Sequence, residues 1–435
     1  MAKTKIKFKL NNREIRTDYI NLTVFLSFIT LCIAQTFHVP SIIYFLIDVP
    51  IVLMVLQNIR GFLNTLIWKP VALMTFTLLV ALIAMILGGI INAVLIGNAV
   101  YGIYKYFRGF VFFYCVLAFV DLKSIGQTLE MINVIFWINI ILTMVEFFLL
   151  GIDQDLLGGV FGLVVGVNQY TNMFFLIVSV YCIEKIVKRD TDQKKYRMIL
   201  VVSGLMLVVA ALAEMKYFFA EFIVLFVIAY LCLPKKIKSL IGVVLVLVCV
   251  IACYNILIRN FPEFANLAYE LKQGGFARLA DLQRHYSTDY DIGRAVVFSY
   301  SNRYLLPKSI NQWFGMGIGS VSSSGIVDNS FWLKNQATHY DQFYTAYLYN
   351  EQGGIGFVLY CLIYLELLII GIRAVWCQKT RKYGTMLIML VVGCIMIFAY
   401  NMALYSQLSF IMFWALAVLV KKSAQCFINV DLKTS

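Results

Sequence analysis

Apolar segments follow one another along the chain from Tyr19 to Val420, most of them about as long as a membrane span and separated by short polar turns. A helix of about 20 apolar residues crosses the hydrocarbon core of a bilayer. Within lipid, only helices and closed barrels satisfy all their backbone hydrogen bonds. The sequence has none of the ~10-residue segments of alternating polarity that are typical of a transmembrane barrel. The pattern therefore predicts an all-α, polytopic integral membrane protein.

The pattern divides the chain into about twelve transmembrane helices and one long loop. The predicted spans are residues 19–37, 40–56, 70–95, 102–120, 131–150, 166–187, 197–213, 216–233, 238–258, 341–371, 384–402 and 404–420. Residues 1–258 thus hold nine helices, 259–340 form a loop with short amphipathic helices, and 341–435 hold three helices and a tail. The basic N-terminus resembles the start of a signal peptide, but no small-residue cleavage site follows it, so we expect an uncleaved first helix.

Composition and charge agree with this division. The chain is 61% hydrophobic and 14% charged, against ~25% charged residues in soluble domains. Of its 36 Lys and Arg residues, 25 fall on one side of the predicted spans, and basic residues near span ends stay cytoplasmic. We therefore expect both termini in the cytoplasm and the loop 259–340 on the outer face. The formal charge of +13 is then a topology signal, which removes nucleic acid as a partner.

The stretch from Gly293 to Phe357 is where polar chemistry collects. Arg294 and Arg303 present planar guanidinium groups, which suit a phosphate or diphosphate; the alternative is that they are solvated or paired with a loop carboxylate. The GMGIGS segment that begins at Gly315 lacks the strand-and-helix context of a dinucleotide-binding loop. It is expected to be a tight turn leading back to the membrane.

His339 opens the helical run that follows, with Phe343, Tyr347 and Asn350 on the same face and Glu351 beside it. An imidazole can take a proton from a sugar hydroxyl near neutral pH. The alternative is a histidine that only packs at the membrane interface.

Ionisable residues also occur at the ends of predicted spans. Glu214 and Lys216 lie between two apolar segments, where such residues tend to face a cavity or a partner, although a lysine can also snorkel to the surface. Arg108 has the same two interpretations, and for it we favour a structural role.

Asn168 follows a glycine-rich approach, 158–166, that is a candidate for a broken or re-entrant segment. Two Asp-x-Asp pairs, at 153/155 and 289/291, are a weak signal for a divalent cation. The commoner interpretation of such pairs is solvation. With three histidines and no cysteine or histidine cluster in the sequence, a zinc site is not expected.

These features, in this order, resemble the superfamily of bacterial O-antigen polymerases and O-antigen ligases. The features that carry the resemblance are the Asn168-Gln169 pair opening a span, the charged turn at Lys216, GRAVVFSYSNRY, FGMGIGS and the return helix HYDQFYTAYLYNEQGGIGFVLY. The resemblance covers about residues 160 to 365. It implies a multi-span fold like that of the GT-C glycosyltransferases, located in the bacterial inner membrane.

The resemblance also implies an activity: transfer of an oligosaccharide from an undecaprenyl-diphosphate carrier on the outer face, without a nucleotide sugar or other cofactor. Arg294 and His339 occupy the positions of the family's proposed active residues. Lys216 stands where a second arginine is frequent, which keeps the charge but loses the bidentate fork. Tyr340 follows the histidine where an asparagine is frequent.

The resulting hypothesis places Arg294 and His339 at the reacting centre. Six other residues are candidates for binding substrate: Lys216, Arg303, Glu214, Asn168, Tyr340 and Arg108. Preplaced cations would stabilise the leaving diphosphate, and His339 would deprotonate or orient the acceptor hydroxyl.

The expected reaction is polymerisation of lipid-linked repeat units into surface polysaccharide, with a chain-length regulator as a possible protein partner. The first alternative is a ligase that transfers finished chains to lipid A core or to protein, since both enzymes need the same donor site. A transporter of lipid-linked sugars is the other alternative. It would be expected to show internal repeats with paired broken helices, which are not evident in the sequence.

Overall fold

The structure is a computed structural model. It describes residues 4–152, 154–189, 192–234, 296–322 and 329–425, with a few positions between 248 and 259. Every regular element in those ranges is a helix, which confirms the all-α expectation for this part of the chain.

The helices come in two groups along the chain, one before the long loop and one that begins inside it. The first group comprises α1 (Thr4–Phe37), α2 (Asp48–Gln57), α3 (Ile59–Leu66), α4 (Ala72–Ile91), α5 (Ile96–Phe119), α6 (Leu122–Phe148), α7 (Asn168–Lys188), α8 (Gln193–Leu212) and α9 (Lys216–Cys232). The second comprises the short helices α10 (Val297–Tyr300), α11 (Ser309–Phe314) and α12 (Ser330–Asn335), then α13 (Tyr344–Trp376), α14 (Arg381–Tyr400) and α15 (Ser409–Ser423).

Eight helices among the described residues are long and apolar enough to cross a membrane: α1, α4, α5, α6, α7, α8, α13 and α14. A ninth candidate is the pair 42–57 and 59–66, which bends by 93°, with Asn58 accepting a hydrogen bond from Gly61 N–H at the break. Helices α9 and α15 lie at predicted span positions but have 17 and 15 residues. Most of the predicted span 238–258 lies outside the described residues. A multi-pass membrane protein is therefore supported, while the count of twelve stays a prediction.

Helix α14 lies at the centre of the bundle and packs against α7, α9, α13 and α15. Small residues allow the closest of these approaches. A Cβ at Gly384 would lie 2.6 Å from the carbonyl oxygen of Gly371 on α13, so only glycine lets the two backbones come this close. Close packing through small residues is a main source of helix association in lipid.

The GMGIGS segment forms the expected turn and packs into a break in α13. Its three glycines all have positive φ, between 70° and 90°. The amides of Met316 and Gly317 donate to the carbonyl oxygens of Asn350 and Glu351 at 2.9 and 3.0 Å. Those carbonyls are available because Gly353 interrupts the helix with φ 65° and ψ −167°. The break in α13 and the turn therefore satisfy each other's backbone groups.

The glycine-rich segment 158–166 is non-helical except for one short 3-10 turn, and several of its residues are buried. Two polar side chains of α6 bind its backbone. Glu146 accepts from Gly159 N–H at 2.8 Å, and Asn139 accepts from Val160 N–H at 3.0 Å. Irregular backbone at membrane depth needs such internal partners, so this structure fits the sequence interpretation of a broken segment.

The bundle has two chemically different ends. At one end, which we call the basic end, Lys382 Nζ lies 3.6 Å from buried Glu184 and Lys421 Nζ donates to the Val120 carbonyl at 2.9 Å. The opposite end, at which α7, α9 and α13 begin, is called the site end. Lysines that the charge count assigns to the cytoplasmic side thus come together at the basic end; which membrane face it occupies stays a prediction.

Candidate functional site

Three of the predicted site residues meet at the site end. Asn168 opens α7, and its side-chain amide donates to the Ala213 carbonyl at 3.1 Å and to Asp155 at 2.7 Å. Ala213 precedes the turn in which Glu214 has φ 56°. The Lys216 ammonium lies 2.8 Å from the Glu214 carboxylate, and the lysine side chain is 43% exposed. The structure therefore joins Asn168, Glu214 and Lys216 in one polar group, in which the lysine charge already has a carboxylate beside it.

The connector between α14 and α15, residues 401–408, ties this group to the start of α13. At its beginning, the ring of Tyr400 stacks on that of Tyr217, with centroids 4.2 Å apart and planes 2° from parallel. The amide of Met402 donates to Gln169 Oε1 at 3.2 Å. The Tyr344 amide donates to the Asn401 carbonyl at 3.3 Å. The connector is thus held from both sides, by α7 and α9 and by α13.

A cavity of about 30 Å³ lies under the other end of the connector. Its lining includes Lys105, Arg108, Tyr344, Tyr360, Tyr405 and Ser406. A volume of about 10–15 Å³ is the minimum for one water molecule, so the cavity as it stands fits only small polar species. A larger ligand would require part of this lining to move. The cavity combines two cations with aromatic rings at the end of apolar helices.

Arg108, one of the predicted site residues, lines this cavity with its charge already paired. Its Nε lies 3.2 Å from Asp48 Oδ1, and both side chains are largely buried. Its Nη2 donates to the Tyr44 carbonyl at 3.3 Å, and the guanidinium lies 4.9 Å from the ring centre of Phe410. These contacts favour the structural role that the sequence suggested.

Lys105, one turn earlier on the same face of α5, is the cavity residue that sequence reasoning missed. Its ammonium lies 4.7 Å from the ring centre of Tyr405 and 5.3 Å from that of Tyr101. Among the described residues, no carboxylate comes within ion-pair distance of it. A partly buried cation that packs on aromatic rings and has no ion-pair partner is available to bind an anion. The signal in the sequence was IYKYFRGF, where Lys105 and Arg108 are three residues apart and therefore neighbours on a helix.

A buried hydrogen-bonded chain leads away from the cavity into α13. The hydroxyls of Tyr405 and Tyr347 are 2.8 Å apart, and Tyr347 donates to Glu351 Oε1 at 3.0 Å. The same carboxylate oxygen accepts from Gly319 N–H at 2.8 Å. Glu351 is only 2% exposed. Sequence reasoning placed Tyr347 and Glu351 beside each other but did not connect them to Tyr405, which is 58 residues away from Tyr347.

His339 lies in the loop just before α13. Its backbone is left-handed, with φ 50°. Its amide donates to the Gln336 carbonyl at 3.1 Å, and its own carbonyl accepts from Gln342 N–H at 3.1 Å. The side chain is exposed. Its assignment as a base stays a prediction.

Tyr340 is fully buried, and its hydroxyl donates to the Val321 carbonyl. Its ring lies edge-on to that of Phe331 at 5.7 Å. Burial, with a smaller effect of nearby Asp341 and Glu351, raises the pKa of Tyr340 well above its usual range, so the hydroxyl stays protonated and can keep donating. These contacts hold the loop in place, and the predicted role in substrate binding gains no support from them.

Of the two loop arginines of the hypothesis, only Arg303 lies among the described residues. Arg303 lies in a π-helical turn, Ser301–Leu305, with its exposed guanidinium 5.3 Å from the ring centre of Tyr304. Within the described ranges it has no ion-pair partner. Arg294 lies outside the described residues, so its predicted role is untouched by the geometry.

The acidic pairs give no sign of a metal site in the part of the chain that the structure describes. Asp155 is bonded to Asn168, while residues 153, 289 and 291 lie outside the described ranges. No group of three or more potential metal ligands occurs among the described residues.

Comparison of the sequence with models of known protein families and with curated proteins found no match. The resemblance to the O-antigen polymerases and ligases therefore stays a prediction based on the motifs of this chain.

Proposed function

We propose that the protein is a membrane glycosyltransferase that takes an oligosaccharide from a lipid-diphosphate carrier and joins it to an acceptor sugar. The observation that carries the proposal is the cavity at the site end, where Lys105 and Arg108 meet the rings of Tyr344 and Tyr405 at the end of apolar helices. Cations attract a diphosphate, aromatic rings pack against sugar faces, and the surrounding apolar helices suit a lipid tail.

Two cations of the site end already have an ion-pair partner, whereas a third has none among the described residues. Arg108 is paired with Asp48, and Lys216 is paired with Glu214. Lys105 contacts the rings of Tyr101 and Tyr405 and has no ion-pair partner among the described residues. We therefore assign the primary diphosphate contact to Lys105. Lys216 and Arg294 retain their roles from the sequence hypothesis, and Arg108 keeps its structural role.

The reaction needs negative charge to be stabilised on the departing diphosphate. Preplaced cations do this most effectively where water is excluded, because the effective dielectric constant there is low. The acceptor hydroxyl must also lose a proton as the glycosidic bond forms. His339 is proposed to orient this hydroxyl from the loop that precedes α13.

The acceptor is proposed to be a second lipid-linked repeat unit, which makes the enzyme a polysaccharide polymerase of the bacterial inner membrane with twelve spans and cytoplasmic termini. One assay tests this. Purified protein is incubated with a lipid-linked repeat unit alone, and the products are separated on a gel. A ladder of products supports a polymerase. Product that forms only when lipid A core is added would indicate a ligase, and lipid movement across vesicles without a new glycosidic bond would indicate a transporter.

A further inference from the structure

A three-residue chain of hydroxyl and carboxylate groups connects the cavity with the interior of α13. It consists of Tyr405, Tyr347 and Glu351, with separations of 2.8 Å between the hydroxyls and 3.0 Å from Tyr347 to the carboxylate. Tyr405 lines the cavity, Tyr347 is 2% exposed, and Glu351 is 2% exposed. One end of the chain therefore faces the ligand space and the other is closed to solvent.

The direction of the hydrogen bonds follows from the chemistry of the end group. An ionised carboxylate can only accept, so Tyr347 must donate to Glu351. Because Tyr347 has a single proton, it must then accept from Tyr405. The oxygen of Tyr405 keeps a lone pair for a donor in the cavity. A sugar hydroxyl there would therefore donate into a chain that already points at Glu351.

Burial opposes the charged form of Glu351, whereas its hydrogen bonds support that form. Its Oε1 accepts from both Gly319 N–H and Tyr347, and hydrogen bonds to the charged form stabilise it. The groups facing it are Lys105 and Tyr106 from α5, Tyr340 from the preceding loop and Tyr405 from the connector. Lys105 is the only cation in this set, and it also contacts the Tyr405 ring.

Burial raises the pKa of Tyr405 well above its usual range, with a smaller effect from Glu351. A free phenolate at this position is therefore unfavourable. When Tyr405 takes up a proton, it must therefore pass its own proton to Tyr347. The chain can pass a proton on, but Tyr405 cannot hold a negative charge by itself.

From this geometry we infer that Tyr405, Tyr347 and Glu351 form a proton relay that accepts the proton of the acceptor hydroxyl during glycosyl transfer. The inference rests on the proposed function. As the acceptor oxygen bonds to the anomeric carbon, the bond from that carbon to the diphosphate breaks and the diphosphate leaves with the electron pair. The acceptor proton moves to Tyr405, the Tyr405 proton to Tyr347, and the Tyr347 proton to Glu351. Glu351 then carries the proton as a neutral acid and returns it along the same chain to the departing diphosphate or to water.

His339 is predicted either to deprotonate or to orient the acceptor hydroxyl. Because the relay takes the proton, His339 is left with the orienting role. Tyr405 touches the substrate, whereas Glu351 acts through the two tyrosines. Glu351 also holds the GMGIGS turn through Gly319. The test must therefore separate proton transfer from support of the turn.

The central variant is Glu351→Gln. A glutamine can still accept from Tyr347 and from Gly319 N–H through its amide oxygen, but it cannot take up a proton. General-base catalysis contributes roughly 10²–10⁴-fold to rate, so kcat on a lipid-linked repeat unit should fall by about 100-fold or more, with KM for the donor within about threefold of wild type. Tyr405→Phe keeps both hydrogen bonds of Glu351 and interrupts the chain, so it should give the same pattern.

A matched control comes from the same helix. Tyr349 is also on α13, and its hydroxyl bonds Asn302 at 2.7 Å, away from the chain; Tyr349→Phe should keep wild-type kcat. A second readout is the dependence of kcat on the deuterium fraction of the solvent. Several protons in flight give a curved plot for wild type, and the curvature should be lost in Tyr405→Phe.

The outcomes separate the two proposals. If wild type forms no glycosidic bond, both the proposed function and the relay are contradicted. If wild type is active while Tyr405→Phe or Glu351→Gln keeps kcat within about threefold, the relay is overturned and the proposed function stands. A Glu351→Gln protein that does not fold leaves Tyr405→Phe to decide, because that variant leaves the Gly319 bond in place.

Discussion

At the scale of single residues, the cations of the site end differ in how strongly they are already held. Arg108 is in contact with Asp48 and with a backbone carbonyl. Lys216 is in contact with Glu214. Lys105 lies beside the rings of Tyr101 and Tyr405 and has no ion-pair partner within the described ranges. A new anion therefore costs least to bind at Lys105, because no existing ion pair has to be broken there.

The first prediction concerns this lysine. Lys105→Ala should raise KM for the lipid-diphosphate donor roughly 10- to 100-fold, since a hydrogen bond to a charged group contributes about 1.5–3 kcal/mol. Lys105→Arg, which keeps the charge, should recover most of the loss. Lys308→Ala, in the exposed loop after the π-helical turn, is the control and should match wild type. Equal KM values for Lys105→Ala and wild type would contradict the assignment.

The second prediction concerns the Asp48–Arg108 pair, which we regard as structural. Removing one partner of a largely buried ion pair leaves an uncompensated charge and costs roughly 3–5 kcal/mol. Asp48→Ala should therefore clearly lower the midpoint temperature of thermal unfolding in detergent. Asp18→Asn, an exposed carboxylate on α1, should leave it within error.

A double-mutant cycle sharpens this test of the ion pair. If Asp48 and Arg108 act as a pair, the double alanine variant should be less destabilised than the sum of the two single variants. Strict additivity would show that the two side chains stabilise the fold independently.

At the scale of elements, the site depends on the break in α13. The interruption at Gly353 lets Glu351 accept a hydrogen bond from the Gly319 amide. It also leaves backbone carbonyls of α13 available to the GMGIGS turn. That residue has φ 65° and ψ −167°, a region accessible essentially to glycine alone. A Cβ there would also lie 2.4 Å from the Trp313 backbone.

The third prediction follows from adjacent glycines in the same helix. Gly353→Ala should destabilise the protein by at least about 1–3 kcal/mol from backbone strain alone, and the clash with Trp313 adds to this. Gly354→Ala is the matched control. A Cβ at Gly354 would meet its nearest atom at 3.5 Å, an ordinary contact, and alanine favours a helix over glycine by about 1 kcal/mol. Similar melting temperatures for the two variants would contradict the account of the break.

The sequence could predict the helices but not this break. Apolar runs near 20 residues long placed the predicted spans close to the observed helices, because length and hydropathy decide membrane crossing. The run EQGGIGF contains several glycines, and nothing local says which of them leaves the helical conformation. The choice is made by Trp313 and Gly315, which contact Gly353 from about 40 positions away.

The candidate site, too, is only partly predictable from local sequence, because some of its contacts come from distant parts of the chain. Asn168, Glu214 and Lys216 could be found because polar residues at span ends are unusual in an apolar chain. Lys105 could not be separated from a snorkelling lysine, since its significance depends on Tyr405 arriving from the connector 300 residues later. Arg294 and the loop around it lie outside the described residues, so the sequence hypothesis about them stands alone.

At the scale of the whole molecule, the protein is a bundle with chemically different ends. Lysines from α7, α14 and α15 gather at the basic end, around Glu184 and the Val120 carbonyl. The site end carries the cavity, the GMGIGS turn and the loop before α13. Basic residues flanking spans stay in the cytoplasm, which predicts that the site end faces outward.

The fourth prediction tests this orientation. Cysteines introduced at Gln336, near the site end, and at Lys194, an exposed position in the first turn of α8, are probed in intact cells with a membrane-impermeant maleimide, against the labelling of the parent chain. Gln336→Cys should react in intact cells, whereas Lys194→Cys should react only after the membrane is permeabilised. The reverse pattern would place the site end in the cytoplasm and rule out transfer on the outer face.

The most direct test of the central claim is a product assay with purified protein in vesicles and a lipid-linked repeat unit as the only sugar substrate. We expect a ladder of longer lipid-linked products from wild type, and the same ladder from Lys105→Ala only at donor concentrations roughly 10- to 100-fold higher. No new glycosidic bond under any acceptor condition, with wild-type protein that is folded and correctly oriented, would contradict it.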